Sequence, residues 1–114
     1  MPEIRRDARY ATFINIFRCR PQDQDVVVRI NIDIVDQVAS TFPGFISASV
    51  HRSTDGTRVF NYLQWETAEH LAAMQRSPAF QAIARQFAGL IEFEPNECEV
   101  AHVADHGAPS PPRT

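Results

Sequence analysis

The chain has 114 residues, of which 44% are hydrophobic and 22% are charged, and its formal net charge is −3. This length corresponds to one domain, and the hydrophobic fraction is high enough for a core and too high for a disordered chain. The acidic balance argues against nucleic-acid binding, which usually needs a basic patch. No apolar run is long enough to span a bilayer, and the N-terminus lacks the apolar stretch of a signal peptide. We therefore expect a cytoplasmic protein that binds neither nucleic acid nor membrane.

The two ends of the chain differ in composition from its middle. Residues 1–9 are rich in charge and are predicted to form an N-terminal arm. Residues 105–114 are rich in Pro and Gly, which hinder regular backbone pairing, and are predicted to be a disordered tail. The predicted domain is therefore residues 10–104. Neither Cys19 nor Cys98 has a His at metal-ligand spacing, so we predict no metal site.

The first predicted strand covers about residues 10–19, which are rich in β-branched and aromatic side chains. Both of its faces are mostly apolar, so both should be covered. Residues 22–42 fit two patterns, because their apolar residues alternate as in a strand and also form a helical stripe. The segment is long and has no internal Gly or Pro, so we predict a helix.

A Pro-Gly turn at residues 42–45 leads into the second predicted strand, about residues 45–52. Asp55-Gly56 is a strong signal for a β-hairpin between two strands. The third strand is therefore predicted over about residues 58–66.

The C-terminal half is predicted to contain a broken helix and one more strand. Thr67 can cap a helix, and Pro78 interrupts the helical pattern, so a second helical segment should cover about residues 79–89. The last strand is predicted at about residues 98–103. The resulting β-α-β-β-α-β order is that of an α+β, ferredoxin-like fold, in which helices cover one face of an antiparallel sheet. The strands lack a clean polar face, so a second copy of the chain should cover the other face and make a homodimer.

An amide and an indole share one face of the third strand. Asn61 and Trp65, the only Trp of the chain, are four residues apart, and side chains at i and i+4 point to the same side of a strand. A hydrogen-bonding group beside a large flat apolar group suits an aromatic, oxygenated small molecule.

Four segments resemble the antibiotic biosynthesis monooxygenase family of dimeric α+β barrel proteins. They are TFINIF at residues 12–17, FPGFISA at 42–48, HRSTDGT at 51–57 and NYLQWE at 61–66. Within the family, the chain is most similar to the anthrone-type oxygenases, including that of the actinorhodin pathway. The resemblance implies a dimeric α+β barrel that uses molecular oxygen without metal, flavin or haem to oxidise a polycyclic aromatic substrate, an anthrone-type polyketide or a quinol, to a quinone.

The resemblance also implies roles for individual residues. Asn61 and Trp65 match the main active-site residues, Asn15 matches an Asn on the first strand of some anthrone oxygenases, and His51 matches a His near the active site. Amide N–H groups of the two Asn can donate to a developing oxyanion, the indole can stack on the substrate, and the imidazole can accept a proton. Where the actinorhodin enzyme has a Tyr in the next helix, this chain has Leu71, so a proton transfer by that Tyr does not carry over.

Four apolar side chains of the C-terminal helices are predicted to contact the substrate: Leu71, Phe80, Ile83 and Phe87. Their spacing along the helices also fits ordinary core packing.

Two other functions remain open from the sequence. The fold is widely reused, so the chain could be a non-catalytic dimer that binds a small ligand. It could also be a haem-degrading oxygenase, since these share the fold and use an Asn, a Trp and a helix His. Asn15 and Trp65 fit that pattern, but His70 follows the Trp too closely and position 75 is Gln.

Overall fold

The structure is a computed structural model that describes residues 10–106 of the chain. The predicted N-terminal arm, residues 1–9, lies outside the described residues, and so does most of the predicted tail. The predicted domain boundaries therefore stay a prediction.

An antiparallel sheet forms one layer of the fold. The central strand β1 (Ala11–Arg18) pairs with β3 (Arg58–Trp65), and β3 pairs in turn with β2 (Phe45–Arg52). On its other side, β1 pairs with two short strands in succession, β4 (Glu92–Glu94) and β5 (Glu97–Cys98). The two strands at the centre of the sheet, β1 and β3, are therefore neighbours in space although a helix and β2 separate them in sequence.

Helices form the second layer. The helix α1 (Gln24–Gln37) connects β1 to β2, and α2 (Ala68–Gln75) and α3 (Pro78–Ala84) follow β3. Three short 3-10 turns accompany them: Pro21–Asp23, Ala39–Thr41 and Arg85–Phe87. The predicted α+β, ferredoxin-like fold is confirmed, and so is the helix at the ambiguous segment. None of the helices in the described part of the chain is long and apolar enough to cross a membrane.

Local sequence signals set the boundaries of the helices after β3. Thr67 Oγ1 accepts a hydrogen bond from His70 N at 3.2 Å, so it caps the start of α2 as predicted. Ser77 Oγ accepts from Phe80 N at 3.1 Å and caps α3, whose first residue is Pro78. Proline fits there because the first turn of a helix leaves its N–H groups unpaired, so the predicted break at this residue is confirmed.

The predicted last strand, residues 98–103, is wrong. The strands at this edge of the sheet lie earlier, and Thr12 opposite Cys98 is the last pair of the ladder. Because β1 begins at Ala11, it offers almost no further backbone for residues 99–103, which adopt no regular structure. Apolar and polar residues alternate after Cys98 as in a strand, but a strand also needs the backbone of a neighbouring strand to which it can bond.

Two apolar clusters fill the space between sheet and helices. The first contains Phe13, Leu63 and Trp65 from the sheet and Leu71 and Met74 from α2. The second contains Phe17 and Val59 from the sheet and Val27 and Val28 from α1. Along β1 and β3, Asn15 and Asn61 occupy the positions between the two clusters. The sheet face that packs on the helices is therefore apolar at both ends and polar in its middle.

The turn before β2 depends on Gly44. Its φ is +88°, and a Cβ at this position would lie 2.3 Å from Cγ of His70. Its carbonyl also accepts a hydrogen bond from Glu66 N at 2.7 Å, which joins the turn to the end of β3.

We predict that Gly44→Ala lowers the free energy of unfolding by about 2 kcal/mol or more, because left-handed strain and the His70 contact act together. Gly89→Ala is the matched control: its φ is +78°, and a Cβ there meets no atom within 4 Å. The control should lose only the backbone term, about 1–2 kcal/mol. Urea unfolding measures both values, and equal losses would show that His70 imposes no steric constraint on the turn.

Candidate active site

A cavity of about 390 Å³ lies between the sheet and the helices. Residues of β1, β3 and all three helices contribute to its wall, which is mostly apolar and includes four aromatic rings: Phe17, Phe80, Phe87 and Phe93. The polar lining residues are Asn15, Asn31, Asn61 and Gln75. This volume and this small number of polar groups are typical of a site for a small molecule.

Three asparagines meet at one wall of the cavity. Asn15 and Asn61 are directly opposite each other in the β1–β3 ladder, and Asn31 comes from α1 on the opposite side of the core. Their exposed fractions are 6%, 8% and 2%. Buried amides need hydrogen-bond partners, so the pattern of their bonds determines what each can offer to a ligand.

The side-chain amides of Asn15 and Asn61 each use one end in a hydrogen bond within the protein and leave the other end free. Asn61 Nδ2 donates to Asn31 Oδ1 at 3.0 Å, and Asn31 Nδ2 donates to the carbonyl of Val27 at 3.0 Å. Asn15 Oδ1 accepts from the backbone N–H of Asn96 at 3.1 Å. Within residues 10–106, Asn61 Oδ1 is buried and accepts no hydrogen bond, and Asn15 Nδ2 donates none.

The two strand amides are therefore not equivalent. The family resemblance implies that both donate to an oxyanion, but the Nδ2 end of Asn61 is directed at Asn31, which accepts one of its two N–H groups. Asn15 offers a donor and Asn61 offers an acceptor. The cavity wall presents the two side by side.

Trp65 lies in the core next to the cavity. It is 0% exposed, packs edge-on against Phe45 at a ring-centroid distance of 5.4 Å, and belongs to the first apolar cluster. Other members of that cluster, Leu63 and Met74, line the cavity, whereas Trp65 does not. The buried indole Nε1 has no hydrogen-bond partner among the described residues. Trp65 thus packs in the layer behind the residues that line the cavity, and its contact with a substrate stays a prediction.

His51 lies apart from the cavity. It is exposed on β2 opposite Phe60, and its Nε2 is 3.0 Å from Ser49 Oγ. Residues 48 and 50 of the same strand pack on the helix side, so His51 faces the other side of the sheet. Its predicted role as a proton acceptor stays a prediction.

The predicted substrate contacts divide into two groups. Phe80 and Phe87 line the cavity, whereas Leu71 belongs to the first apolar cluster and Ile83 packs against that cluster without lining the cavity. Sequence reasoning missed Asn31. Its position, four residues after Val27 on the buried face of α1, carried a signal: a polar residue on an otherwise apolar stripe.

The described residues that line the cavity contain no Asp, Glu, His, Lys, Arg, Tyr or Cys. A haem-degrading oxygenase would need a His to bind the haem iron, but none of the described residues of this wall is a His. Gln75 is the residue of α2 that lines it with a polar side chain. Elsewhere in the described part of the chain, no group of three or more His, Cys, Asp or Glu side chains is placed to hold a metal ion. The predicted absence of a cofactor stays a prediction.

We predict that Trp65→Phe lowers the free energy of unfolding by no more than about 2 kcal/mol, whereas Trp65→Ala lowers it by about 3–5 kcal/mol. The smaller ring keeps much of the packing, and removal of the unpartnered N–H offsets part of the lost contact. Urea unfolding of both variants tests this. A loss for Trp65→Phe as large as that for Trp65→Ala would mean that the indole N–H or its second ring makes an essential interaction.

Comparison with known proteins places this geometry in context. The model of the antibiotic biosynthesis monooxygenase family matches residues 11–86. The chain is 32% identical over 100 residues to the tetracenomycin-F1 monooxygenase of Streptomyces glaucescens, with 88% of each chain covered. The family that the sequence resembles is thereby confirmed.

Two solved structures show the same fold. A protein of Nitrosomonas europaea superimposes with a TM-score of 0.74 at 13% identity, covering 87% of this chain and 97% of the other. SnoaB of Streptomyces nogalater, a cofactor-independent oxygenase, superimposes with a TM-score of 0.67 at 20% identity, covering 84% and 97%. At these identities the likeness concerns the fold alone.

Proposed function

The chain belongs to the antibiotic biosynthesis monooxygenase family and is an oxygenase, and we propose that it oxidises a polycyclic aromatic substrate to a quinone with molecular oxygen and no cofactor. The substrate class is an anthrone-type polyketide or a quinol. The observation that carries the proposal is the pair of buried amides on the wall of an aromatic-lined cavity. The similarity to a monooxygenase that is named for tetracenomycin F1 supports the same class of substrate.

The substrate itself can supply the electrons. Oxygen reacts slowly with closed-shell organic molecules because its ground state is a triplet, but an anthrone that loses a proton becomes an electron-rich anion. Transfer of an electron from this anion to oxygen, followed by bond formation at the methylene carbon, begins the oxidation. The carbon loses four electrons in all, one oxygen atom becomes the new carbonyl, and the other leaves in water. The balance needs no external reductant.

The protein's task is then to bind the rings and stabilise the anion. Asn15 Nδ2 is the free donor, so it can bond the oxygen on which the negative charge develops. Asn61 Oδ1 can accept a hydrogen bond from a neighbouring hydroxyl of the substrate. Phe80 and Phe87 provide flat apolar surface for the rings.

The proton leaves without help from an ionisable side chain of the described cavity wall. Stabilisation of the anion by Asn15 favours ionisation of the bound substrate, and solvent can accept the proton. The rate of oxidation should then rise with pH in step with ionisation of the substrate.

We predict that Asn15→Leu lowers kcat for emodin anthrone by about 10²–10³-fold, the effect of removing one donor from an oxyanion site. Asn61→Leu should also slow turnover, because the substrate hydroxyl loses its acceptor. Oxygen uptake and quinone absorbance measure the reaction.

Gln64→Met is the matched control for these variants. Gln64 is a buried amide on the same strand as Asn61, but it alternates to the sheet face away from the cavity and donates to Thr12 Oγ1 there. This variant should keep the wild-type rate. Binding of the anthrone without turnover by the wild type would instead indicate the non-catalytic ligand-binding dimer.

The homodimer is part of the same proposal. Ile14 and Ile16 of β1 stand opposite Tyr62 and Phe60 of β3 on the sheet face away from the helices. All four side chains are partly exposed. A contiguous patch of large apolar side chains is typical of an interface, and a second copy of the chain would cover it with the same patch.

We predict that Ile16→Glu converts the wild-type dimer to a monomer, because a charge would be buried at the interface. Ile32→Glu, at an exposed position of α1, is the matched control and should leave the dimer intact. Sedimentation velocity measures the mass, and circular dichroism checks that both variants fold. A monomeric wild type, or an Ile16→Glu variant that remains dimeric, would contradict the assignment.

A further inference from the structure

A backbone carbonyl fixes the orientation of two side-chain amides in the cavity wall. The carbonyl oxygen of Val27 can only accept a hydrogen bond, so Asn31 must direct its Nδ2 toward it. The Oδ1 of Asn31 then faces Asn61 and must receive Nδ2. Reversing both amides would place Asn31 Oδ1 against the carbonyl, and reversing only Asn61 would bring two oxygens together. Asn61 is thereby held with its Oδ1 as the free end.

An apolar residue at position 31 would stabilise the fold better than Asn31 does. Asn31 is 2% exposed in the middle of α1, where the buried stripe is otherwise mostly apolar, and Asn has a lower helix propensity than Leu. Its two hydrogen bonds go to its own helix and to one cavity residue. A residue that breaks the local pattern in this way is expected at a functional site.

We propose that Asn31 is a positioning residue that sets the hydrogen-bonding polarity of the cavity, so that the site selects ligands presenting a hydrogen-bond donor to Asn61 and an acceptor to Asn15. This inference rests on the proposed function, because it names the pattern that a polycyclic aromatic substrate must carry. An aromatic carbonyl with a hydroxyl on the neighbouring edge has this pattern. A ligand with only acceptors would leave the buried Asn61 Oδ1 unpaired and facing another acceptor.

Two probes of nearly equal size test the selection. Both 2-aminoanthraquinone and 2-fluoroanthraquinone carry the carbonyls that Asn15 can bond, but only the arylamine donates a hydrogen bond at the second position. The wild type should bind the amine more tightly by about tenfold or more, since the buried acceptor is otherwise unpaired. In Asn31→Leu the amide of Asn61 is free to turn, so the preference should fall toward equal affinity. Fluorescence or calorimetric titration gives the ratio of the two dissociation constants.

Two further variants separate the roles of the strand amides. Asn61→Leu removes the acceptor and should abolish the preference in the same way. Asn15→Leu should weaken the binding of both probes by a similar factor and keep the preference, because Asn15 bonds the carbonyl that both probes carry. Loss of the preference in Asn15→Leu, or its persistence in Asn31→Leu, would overturn the inference.

The outcomes for the wild type distinguish this inference from the proposed function. If neither probe binds, the cavity does not take a polycyclic aromatic, and the proposed function itself fails. If both bind equally, the proposed function stands and the role of Asn31 is refuted.

A spectroscopic measurement on the wild type covers the case in which Asn31→Leu does not fold. The side-chain NH2 signals of Asn15 and Asn61 can be assigned by substituting each residue with Asp. In the ligand-free wild type, the NH2 protons of Asn61 should exchange more slowly with solvent than those of Asn15, because Nδ2 of Asn61 is bonded to Asn31 whereas Nδ2 of Asn15 is free. Faster exchange for Asn61 than for Asn15 would refute the fixed orientation.

Discussion

The need to satisfy amides buried in the apolar middle of the fold organises this molecule. Asn15 and Asn61 stand where the helix-facing side of the sheet would otherwise be continuously apolar. Each finds only part of its hydrogen bonding within the described chain: one from the backbone of Asn96, the other from Asn31. Buried polar groups without partners are unfavourable, so a ligand that completes this bonding would be favoured. The cavity lies at the same place, between the two apolar clusters.

The same interactions connect the strands to their surroundings. Asn96 lies between the two short strands at the edge of the sheet, where its N–H donates to Asn15 Oδ1 and its carbonyl accepts from Ile14 N at 3.0 Å, so it stays bonded to β1 while it orients the amide. The bond between Asn31 and Asn61 joins α1 to the centre of the sheet. The position of the helix and the edge of the sheet therefore both influence what the cavity offers.

The fold could be predicted from the sequence because its signals are local. The Asp55-Gly56 hairpin, the Thr67 cap and the Pro78 break each depend on a few neighbouring residues, and each is observed. The last strand could not be predicted in the same way, because its position depends on where the backbone of β1 begins. The pairing of Asn61 with Asn31 depends on a contact between residues 30 positions apart, which no local pattern reveals.

Only part of the candidate site can be predicted from the sequence, because the rest depends on contacts between residues that are distant in the chain. Alternation correctly places Asn61 and Trp65 on one face of β3, but residues on one face need not reach one cavity. Asn61 lines the cavity, whereas Trp65, two residues after Leu63 on the same face, lies in the buried core. Which end of each amide is free also depends on tertiary partners, so the contrast between a donor at Asn15 and an acceptor at Asn61 emerges only from the structure.

The two faces of β3 have different surroundings, as do those of its partner β1, so the register of this pair of strands matters. Asn61 and Leu63 face the cavity, while Phe60 and Tyr62 face the proposed interface. A slip of one residue would exchange the two sets, because side chains alternate along a strand.

The hairpin before β3 opposes such a slip. Asp55 Oδ1 accepts hydrogen bonds from the side chain of Thr57 at 2.7 Å, from Ser53 Oγ at 2.8 Å and from Thr57 N at 3.0 Å. These bonds, that from the Thr57 side chain first, stabilise the charged carboxylate and lower the pKa of Asp55 to about 2, so the carboxylate keeps its charge in acid that protonates an ordinary Asp. The turn contributes no residue to the cavity wall, yet by fixing the register it helps to determine that Asn61 faces Asn15 and Asn31. The chemistry of the cavity therefore depends on turn residues that no ligand touches.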